Sequence, residues 1–302
     1  MRHPFRQERA GGRLCSHHGS RPYRSRLPRE EGTPVDHVTS PDGTAIAYRS
    51  VGEGPPAVVV NGALSEHSSA LPLAQALAGD LRVTVYDRRS RGHSGDLSPG
   101  VAGAVERELA DLAAVVETAL GEAGDDGKSG VTVIGSSSGG LLALAAAATG
   151  LPVARVVVFE PPLATPGFPL SAPPDLPEQL HGLIGEGRRG DAVALFLTSA
   201  VGLPAAVVAQ MRQLPDWAER EALAASTVYD TALSRRYPEV AAFGPLDVPV
   251  LALHGEGTWP MLRASAVAVG QALPRGQHRA VAGADHRLDP HAVAAAVREH
   301  LT

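Results

Sequence analysis

Apolar residues along the chain follow two alternating periods, one typical of buried strands and one typical of helices. Val131, Val133 and Ile134 form a β-branched run, and the leucine- and alanine-rich segment 141–148 follows it with the composition of a helix that ends near Gly150. Repeated strand and helix segments of this kind predict parallel pairing through right-handed crossovers. We therefore expect an α/β protein.

The same periodicity predicts further strands and helices along the rest of the chain. Asp42-Gly43 separates two short strands and has the composition of a hairpin turn, which predicts an antiparallel start to the sheet. These two strands are expected at 35–40 and 44–50, and further strands at 58–60, 81–86, 153–159, 248–254 and 277–281. Helices are expected at 66–78, 101–120, 260–273 and 290–301.

The strand pattern lapses between Pro161 and Leu246. Proline-rich pieces alternate there with helix-like segments at 191–198, 204–211 and 217–231. We predict a mostly parallel central sheet with helices on both faces and a helical cap inserted into it. The expected organisation is a tail at 1–31, a core at 32–162 and 246–302, and the cap at 163–245.

Charge and composition limit the partners. The 302-residue chain has a formal net charge of −5, and because residues 1–31 carry +5, the remainder carries −10, which does not favour nucleic acid binding. The basic tail lacks the apolar stretch of a secretory signal, and no apolar run reaches the length of a membrane span. The single cysteine, Cys15, excludes an intramolecular disulfide and suits a cytoplasmic location. We expect a small-molecule substrate and leave the oligomeric state open.

One short motif points to chemistry. Gly135-Ser136-Ser137-Ser138-Gly139 is a G-x-S-x-G sequence that lies between a predicted strand and a predicted helix. In that context a sharp turn lifts the central serine clear of the sheet, where its hydroxyl can act as a nucleophile. Ser137 is the one serine of the three with both flanking glycines.

Around this motif the chain resembles the α/β-hydrolase family from about Val35 to its end. The sequence 58–63, Val-Val-Val-Asn-Gly-Ala, looks like the third strand and oxyanion turn, although Asn61-Gly62 stands where the family usually has His-Gly. The segment 87–95 resembles the structural loop after the fourth strand, and the segment 283–286 ends in a histidine before the last helix. These motifs are specific for the fold and not for a substrate.

The resemblance implies roles for particular residues. Ser137 is the expected nucleophile and His286 the expected base, because a serine hydroxyl needs a base to attack at neutral pH. Backbone N–H groups of Ala63 and Ser138 are the expected oxyanion hole. The other candidate bases are less well situated, since they fall within strands or inside the last helix: His254, His278 and His291.

The acid of the triad is where the sequence departs from the family pattern. Thr258 stands where the family usually carries an aspartate, and a threonine cannot stabilise an imidazolium; loss of that anion costs about 10⁴-fold in a serine protease. Glu160 follows the strand 153–159 and resembles the acid position of some haloalkane dehalogenases, so we take it as the acid. Glu256 and a missing acid stay open as alternatives.

The expected function is hydrolysis of a small ester, thioester or lactone through a Ser-His-acid triad and an acyl-enzyme, without a cofactor and without a metal site. Substrate contacts are expected from Asn61, Phe196, Met211 and Trp217, although the last three suit a small core of the cap equally well. Two alternatives remain: a weakly catalytic or non-catalytic ligand-binding protein on the same scaffold, and a cofactor-free peroxidase-like enzyme.

Overall fold

The computed structural model describes residues 35–124 and 129–301. The predicted tail at 1–31, with Cys15, lies outside the described residues. Among the described residues, no helix combines the length and the apolar character that crossing a bilayer requires.

Eight strands of the described chain form one sheet, in the order β1-β2-β4-β3-β5-β6-β7-β8. The β1–β2 and β2–β4 pairs are antiparallel, as the Asp42-Gly43 turn predicts for the first of them, and all other pairs are parallel. The fold class predicted from the sequence is thus confirmed. The strands are β1 Asp36–Thr39, β2 Ala45–Val51, β3 Pro56–Val60, β4 Arg82–Tyr86, β5 Val131–Ser136, β6 Val153–Phe159, β7 Val250–Gly257 and β8 Gly276–Ala284.

Helices cover both faces of the sheet. Alternate side chains of one strand point to opposite faces, so Val58 and Val60 of β3 join one buried cluster while Ala57 and Val59 join the other. Helices α2, α3 and α9 pack on the first face, and α1 and α10 pack on the second. Their bounds are α1 Leu71–Leu77, α2 Ala104–Glu122, α3 Ser138–Ala148, α9 Pro260–Ala272 and α10 Pro290–Leu301, with a short 3-10 helix at His67–Ala70.

Five helices lie between β6 and β7, in the segment expected to be the cap. They are α4 Leu176–Gly185, α5 Arg189–Ser199, α6 Ala205–Met211, α7 Trp217–Ala222 and α8 Ser226–Arg236, followed by a 3-10 helix at Val240–Phe243. Their side chains form a third buried cluster that includes Leu180, Val193, Phe196 and Trp217. The insertion therefore has a core of its own.

Two details of the insertion differ from the sequence prediction. Helix α4 was not anticipated, because prolines at 173, 174 and 177 obscured its apolar positions; Pro177 is tolerated since it lies in the first helical turn, where its missing N–H has no intrahelical partner. The predicted helix at 217–231 is two helices, and the side chains of Ser226 and Thr227 accompany the break by donating hydrogen bonds to Leu223 and Ala224 carbonyls.

Helix α8 packs against both the insertion and the sheet. Val228 packs in the cluster of the insertion, whereas Tyr229 and Leu233 pack in the cluster on the first face of the sheet. The helix also contacts α2, α3 and α4. It therefore packs the insertion against the sheet.

The sharp turn between β5 and α3 depends on glycines that have no room for a side chain. A Cβ at Gly139 would lie 2.2 Å from the Val60 carbonyl oxygen, and one at Gly135 would lie 2.4 Å from the Gly139 carbonyl oxygen. By contrast, Gly121 near the end of α2 has nothing within 4 Å of that position.

We expect Gly139→Ala to lower the free energy of unfolding by about 1–3 kcal/mol, because the added methyl group overpacks backbone atoms. Gly121→Ala is the matched control, and it should raise the free energy of unfolding by about 0.5–1 kcal/mol because alanine favours a helix. Urea denaturation of both variants measures the difference, and equal values would contradict the close approach of α3 to β3.

Candidate active site

Ser137 lies at the turn between β5 and α3 in a strained conformation, with φ 53° and ψ −125°. This region is costly for a residue with a Cβ and is found mainly where the surrounding structure enforces it. The Ser137 N–H donates to the Phe159 carbonyl at 2.9 Å, which ties the turn to the end of β6. The hydroxyl is thereby raised above the carboxyl edge of the sheet, as the motif predicts.

His286 follows β8 and reaches back to this serine. Asp285 and His286 both have positive φ, 52° and 60°, and these two consecutive left-handed residues turn the chain between β8 and α10. The His286 Nε2 lies 3.1 Å from Ser137 Oγ. The structure therefore brings the predicted nucleophile and the predicted base, 149 positions apart, into hydrogen-bonding contact.

Glu160 lies on the other side of the imidazole. Its side chain is fully buried at the end of β6, where one carboxylate oxygen is 2.5 Å from His286 Nδ1 and the other accepts the Gly255 N–H at 2.9 Å. Burial alone would raise the pKa of Glu160, but the hydrogen bonds from His286 and Gly255 lower it below its ordinary value.

The protonation of the imidazole follows from this partner. An ionised carboxylate can only accept hydrogen bonds, so His286 Nδ1 carries the proton that is donated to Glu160. In the neutral imidazole Nε2 is then the acceptor and faces the Ser137 hydroxyl. This tautomer is the one that can remove a proton from Ser137.

The alternative acid Glu256 has no described hydrogen bond to the imidazole. Its side chain is exposed near the end of β7, and the side chain of Thr258 is buried. Among the other histidines, His254 is buried with its Nδ1 3.2 Å from the Gly255 carbonyl, whereas His278 and His291 are exposed. None of these side chains contacts Ser137 or His286 through a described hydrogen bond.

The predicted oxyanion turn lies against Ser137. A Cβ at Gly62 would be 2.9 Å from the Ser137 Cβ, so only a glycine lets the chain after β3 approach so closely. Ala63 lines the same cavity as Ser137, and Ser138 begins α3, where the first N–H groups of a helix lack intrahelical partners. Asn61 braces this turn, because its side-chain amide donates to the Glu66 carbonyl at 2.7 Å.

A cavity of about 760 Å³ opens above Ser137 and His286. Asn61 and Phe196 are among its lining residues, as expected for substrate contacts. Met211 and Trp217 do not line it, which corrects that part of the sequence prediction: both pack in the core of the insertion, where the Trp217 indole N–H donates to Glu221 at 2.7 Å. Most of the lining is apolar, and it includes Leu73, Leu170, Leu176, Leu197, Val201 and Leu288.

Sequence reasoning missed a cluster of buried charges that contacts the turn after β3. Arg88, Arg91, Glu108 and Asp230 are all at most 2% exposed. Arg88 donates to Glu108 at 2.8 Å and to Asp230 at 2.9 Å, and Arg91 donates to Asp230 at 2.8 Å. Nothing in the sequence relates the loop after β4, which carries Arg91, to Asp230 in α8.

The sequence predicts no metal site, but the structure contains a cluster of side chains of the kinds that can bind a metal ion. Potential ligand atoms of His67, Asp87 and His93 lie within 4.8 Å of one another. Both Asp87 oxygens, however, already accept backbone N–H groups, from His67 at 2.6 Å and from His93 at 2.9 Å. We therefore interpret the cluster as a set of hydrogen bonds that stabilises the loop after β4.

Comparison with known proteins identifies what the chain is similar to. A model described as alpha/beta hydrolase family matches residues 57–299. The crystal structure of an alpha/beta hydrolase from Sphaerobacter thermophilus DSM 20745 shares 40% sequence identity and has a TM-score of 0.76, covering 88% of this chain and 100% of that one.

More distant structures share the fold alone. An enol-lactonase from Burkholderia xenovorans LB400 is 22% identical with a TM-score of 0.63, covering 89% of this chain and 99% of that one. A thermophilic esterase from Thermogutta terrifontis is also 22% identical, with a TM-score of 0.64, covering 89% of this chain and 98% of that one. No curated protein matches the chain.

The lowered pKa of Glu160 predicts a pH-dependent contribution to stability. Because the folded-state pKa lies below the ordinary value of 4.5, the contribution is complete above that value and is lost as the pH falls through the folded-state pKa. We therefore expect the difference in unfolding free energy between the wild type and Glu160→Gln to decrease from about pH 5 to about pH 3. Urea titrations across that range measure it.

Glu256→Gln provides the control, because it removes an exposed carboxylate of the same kind. Its difference from the wild type should stay nearly constant over the same pH range. A Glu160→Gln difference that is equally constant would mean that the carboxylate gains nothing from its contacts with His286 and Gly255.

Proposed function

The chain belongs to the alpha/beta hydrolase family, and from that premise we propose that it is a cofactor-independent serine hydrolase of small esters, thioesters or lactones. One observation carries the proposal: the chain of hydrogen-bond contacts from Ser137 Oγ through His286 to Glu160 opens at one end into a cavity and is buried at the other. This is the arrangement that an acyl-transfer mechanism needs.

In the first half of the proposed reaction, Ser137 Oγ attacks the carbonyl carbon of the substrate while its proton passes to His286 Nε2. The carboxylate of Glu160 stabilises the imidazolium that forms, since it already accepts the Nδ1 proton. When the tetrahedral intermediate collapses, the bond to the leaving oxygen or sulfur breaks, and His286 returns the proton to that atom. Ser137 is left as an ester of the acyl group.

In the second half, a water molecule takes the place of the leaving group. His286 removes a proton from the water as it attacks the acyl carbon, and then gives that proton to Ser137 Oγ as the acyl bond breaks. The products are the free carboxylic acid and the original enzyme. For a lactone the leaving alcohol stays attached to the acyl group, so the single product is a hydroxy acid.

Backbone N–H groups of Ala63 and Ser138 are proposed to bind the oxygen that becomes negative in each tetrahedral intermediate. Each such donor is worth about 100- to 1000-fold in rate in a serine protease. The proximity of Gly62 to Ser137 supports this assignment, because it holds the two turns close enough to share one oxygen.

The ligand-binding alternative depended on the triad acid being absent. The contact of 2.5 Å between Glu160 and His286 Nδ1 supports the hydrolase proposal over that alternative. Most of the cavity lining is apolar, which favours a substrate with apolar acyl or alcohol parts.

We expect a fluorophosphonate probe to label the wild-type protein and not to label Ser137→Ala, because the reagent forms a bond only with an activated serine hydroxyl. Mass spectrometry of the labelled peptide locates the adduct. Ser136→Ala is the matched control, since it removes the neighbouring hydroxyl and should leave labelling intact. A folded wild-type protein that resists the probe would contradict the proposal.

We expect Glu160→Gln to lower turnover of a p-nitrophenyl ester at least about 100-fold, by analogy with loss of the acid in serine proteases. Glu256→Gln should change turnover less than about threefold, because that side chain is exposed and does not contact His286. Steady-state kinetics of both variants measure the ratio. The opposite ranking would assign the acid to Glu256.

A further inference from the structure

Two carbonyl groups of the proposed oxyanion turn are held from below by buried arginines. Arg88 Nη1 donates to the Asn61 carbonyl at 3.0 Å, and Arg91 Nη1 donates to the Gly62 carbonyl. Both guanidinium groups are essentially inaccessible to solvent. The turn after β3 is therefore bound to buried charges of the loop after β4.

These contacts determine where the next N–H points. In a planar trans peptide the carbonyl and the N–H point in opposite directions. Since the Gly62 carbonyl points down to Arg91, the N–H of Ala63 in the same peptide unit points away from Arg91. Gly62 packs against Ser137 and Ala63 lines the cavity, so this direction leads toward the space above the serine.

Asp230 of α8 holds both arginines in this position. A single oxygen of its carboxylate, Oδ1, accepts from Arg88 at 2.9 Å, from Arg91 at 2.8 Å and from the Ser138 hydroxyl at 2.6 Å. Ser138 is the residue whose N–H is the second proposed oxyanion donor. One carboxylate oxygen thus contacts the supports of both halves of the oxyanion hole.

The cluster pairs two arginines with two carboxylates. Arg88 and Arg91 face Glu108 and Asp230 in a buried space. Burial would raise the pKa of Asp230, but the two arginines lower it, so the carboxylate stays ionised at neutral pH. A buried charge that loses its partner is strongly destabilising, and the arginines are accordingly confined to positions next to Asp230.

We propose that Asp230 is a positioning residue for the oxyanion hole, which makes the rate of the reaction depend on how α8 is seated against the sheet. The inference rests on the proposed function, because the oxyanion hole matters only if acyl transfer occurs. Asp230 acts through Arg91 on the Gly62–Ala63 peptide and through its own contact on Ser138. It does not touch the reacting atoms.

The neighbouring Arg89 offers a matched comparison within the same loop. It is also fully buried and makes a two-pronged ion pair with Asp111, with both distances 2.7 Å. Further carboxylates of Asp42 and Asp96 lie within 3.3 Å of it. The described contacts of Arg89 do not include the oxyanion turn, so removing Asp111 disturbs a buried arginine without disturbing Ala63.

The test compares Asp230→Ala, Asp230→Asn and Asp111→Ala on a p-nitrophenyl ester. We expect Asp230→Ala to lower kcat about 10- to 100-fold with KM within about threefold, because only transition-state contacts are weakened. Asp230→Asn can keep the acceptor oxygen and should recover most of the loss. Asp111→Ala should keep kcat within about threefold of the wild type although it also lowers Tm.

Affinity for a phenylboronic acid provides a second readout. The boronate forms a tetrahedral adduct with a serine whose oxygen occupies the oxyanion hole, so its affinity should fall with kcat across the Asp230 variants and stay unchanged in Asp111→Ala. A purely structural role for Asp230 would lower Tm and leave both kcat and boronate affinity of the folded fraction unchanged, which would overturn the inference.

Arg91→Lys keeps the positive charge and most of the side-chain volume. This variant replaces Asp230→Ala in the test if Asp230→Ala does not fold. A lysine cannot contact the Gly62 carbonyl and Asp230 in the fixed geometry of a guanidinium, so the loss of kcat at constant KM should reappear. Crystal structures of Arg91→Lys and the wild type should show a rotated Gly62–Ala63 peptide in the variant. That rotation does not depend on activity.

These readouts separate the two proposals. A wild-type protein without turnover, together with a rotated peptide in the variant, would contradict the proposed function and uphold the positioning by Asp230 and Arg91. An active wild type with an unrotated peptide and unchanged kcat in every variant would overturn the positioning and leave the proposed function standing.

Discussion

Parallel pairing of the strands β3, β5, β6, β7 and β8 is the constraint on which the rest of the structure depends. Strands that run in the same direction end at the same edge of the sheet, and each therefore delivers its following loop to one place. Gly62, Ser137, Glu160 and His286 come from four such loops. These residues lie close together because backbone hydrogen bonds between the strands fix the positions of the loops. Side chains more than 120 positions apart in the sequence therefore make contacts of 2.5 and 3.1 Å.

The candidate site is also where the backbone is least relaxed. Among the described residues, six non-glycine residues have positive φ, and all but Ser90 lie around the cavity or the imidazole: Leu64, Ser137, Glu160, Asp285 and His286. Each such conformation costs on the order of 1–3 kcal/mol and persists only where its surroundings impose it. Here the two buried faces of the sheet impose it, because they hold both ends of every strained loop.

Buried charge complements this strain. A carboxylate at the end of β6 contacts one side of the imidazole, and two arginines of the loop after β4 donate to carbonyls of the turn after β3. Such groups are costly to bury and contribute little net stability, but once buried with partners they allow few alternative positions. The hydrolase thus has buried charges next to its candidate site, whose cavity is lined mostly by apolar residues.

The sequence alone determined the alternation of strands and helices, the turn at Ser137 and the loop that carries His286, because each depends on local periodicity or on glycines within a few positions. It favoured Glu160 as the acid but left Glu256 open, because both follow neighbouring strands; the contact of the Glu160 carboxylate with His286 depends on the left-handed turn at Glu160 and on the Gly255 N–H beside it. Asp230 had no local signal, since its arginine partners are about 140 positions away. Met211 and Trp217 could not be assigned either, because an apolar side chain on a helix suits a cavity and a core equally well. Only the packing of the insertion on the sheet decides which way such a face points, and packing is a property of the folded chain rather than of any segment of it.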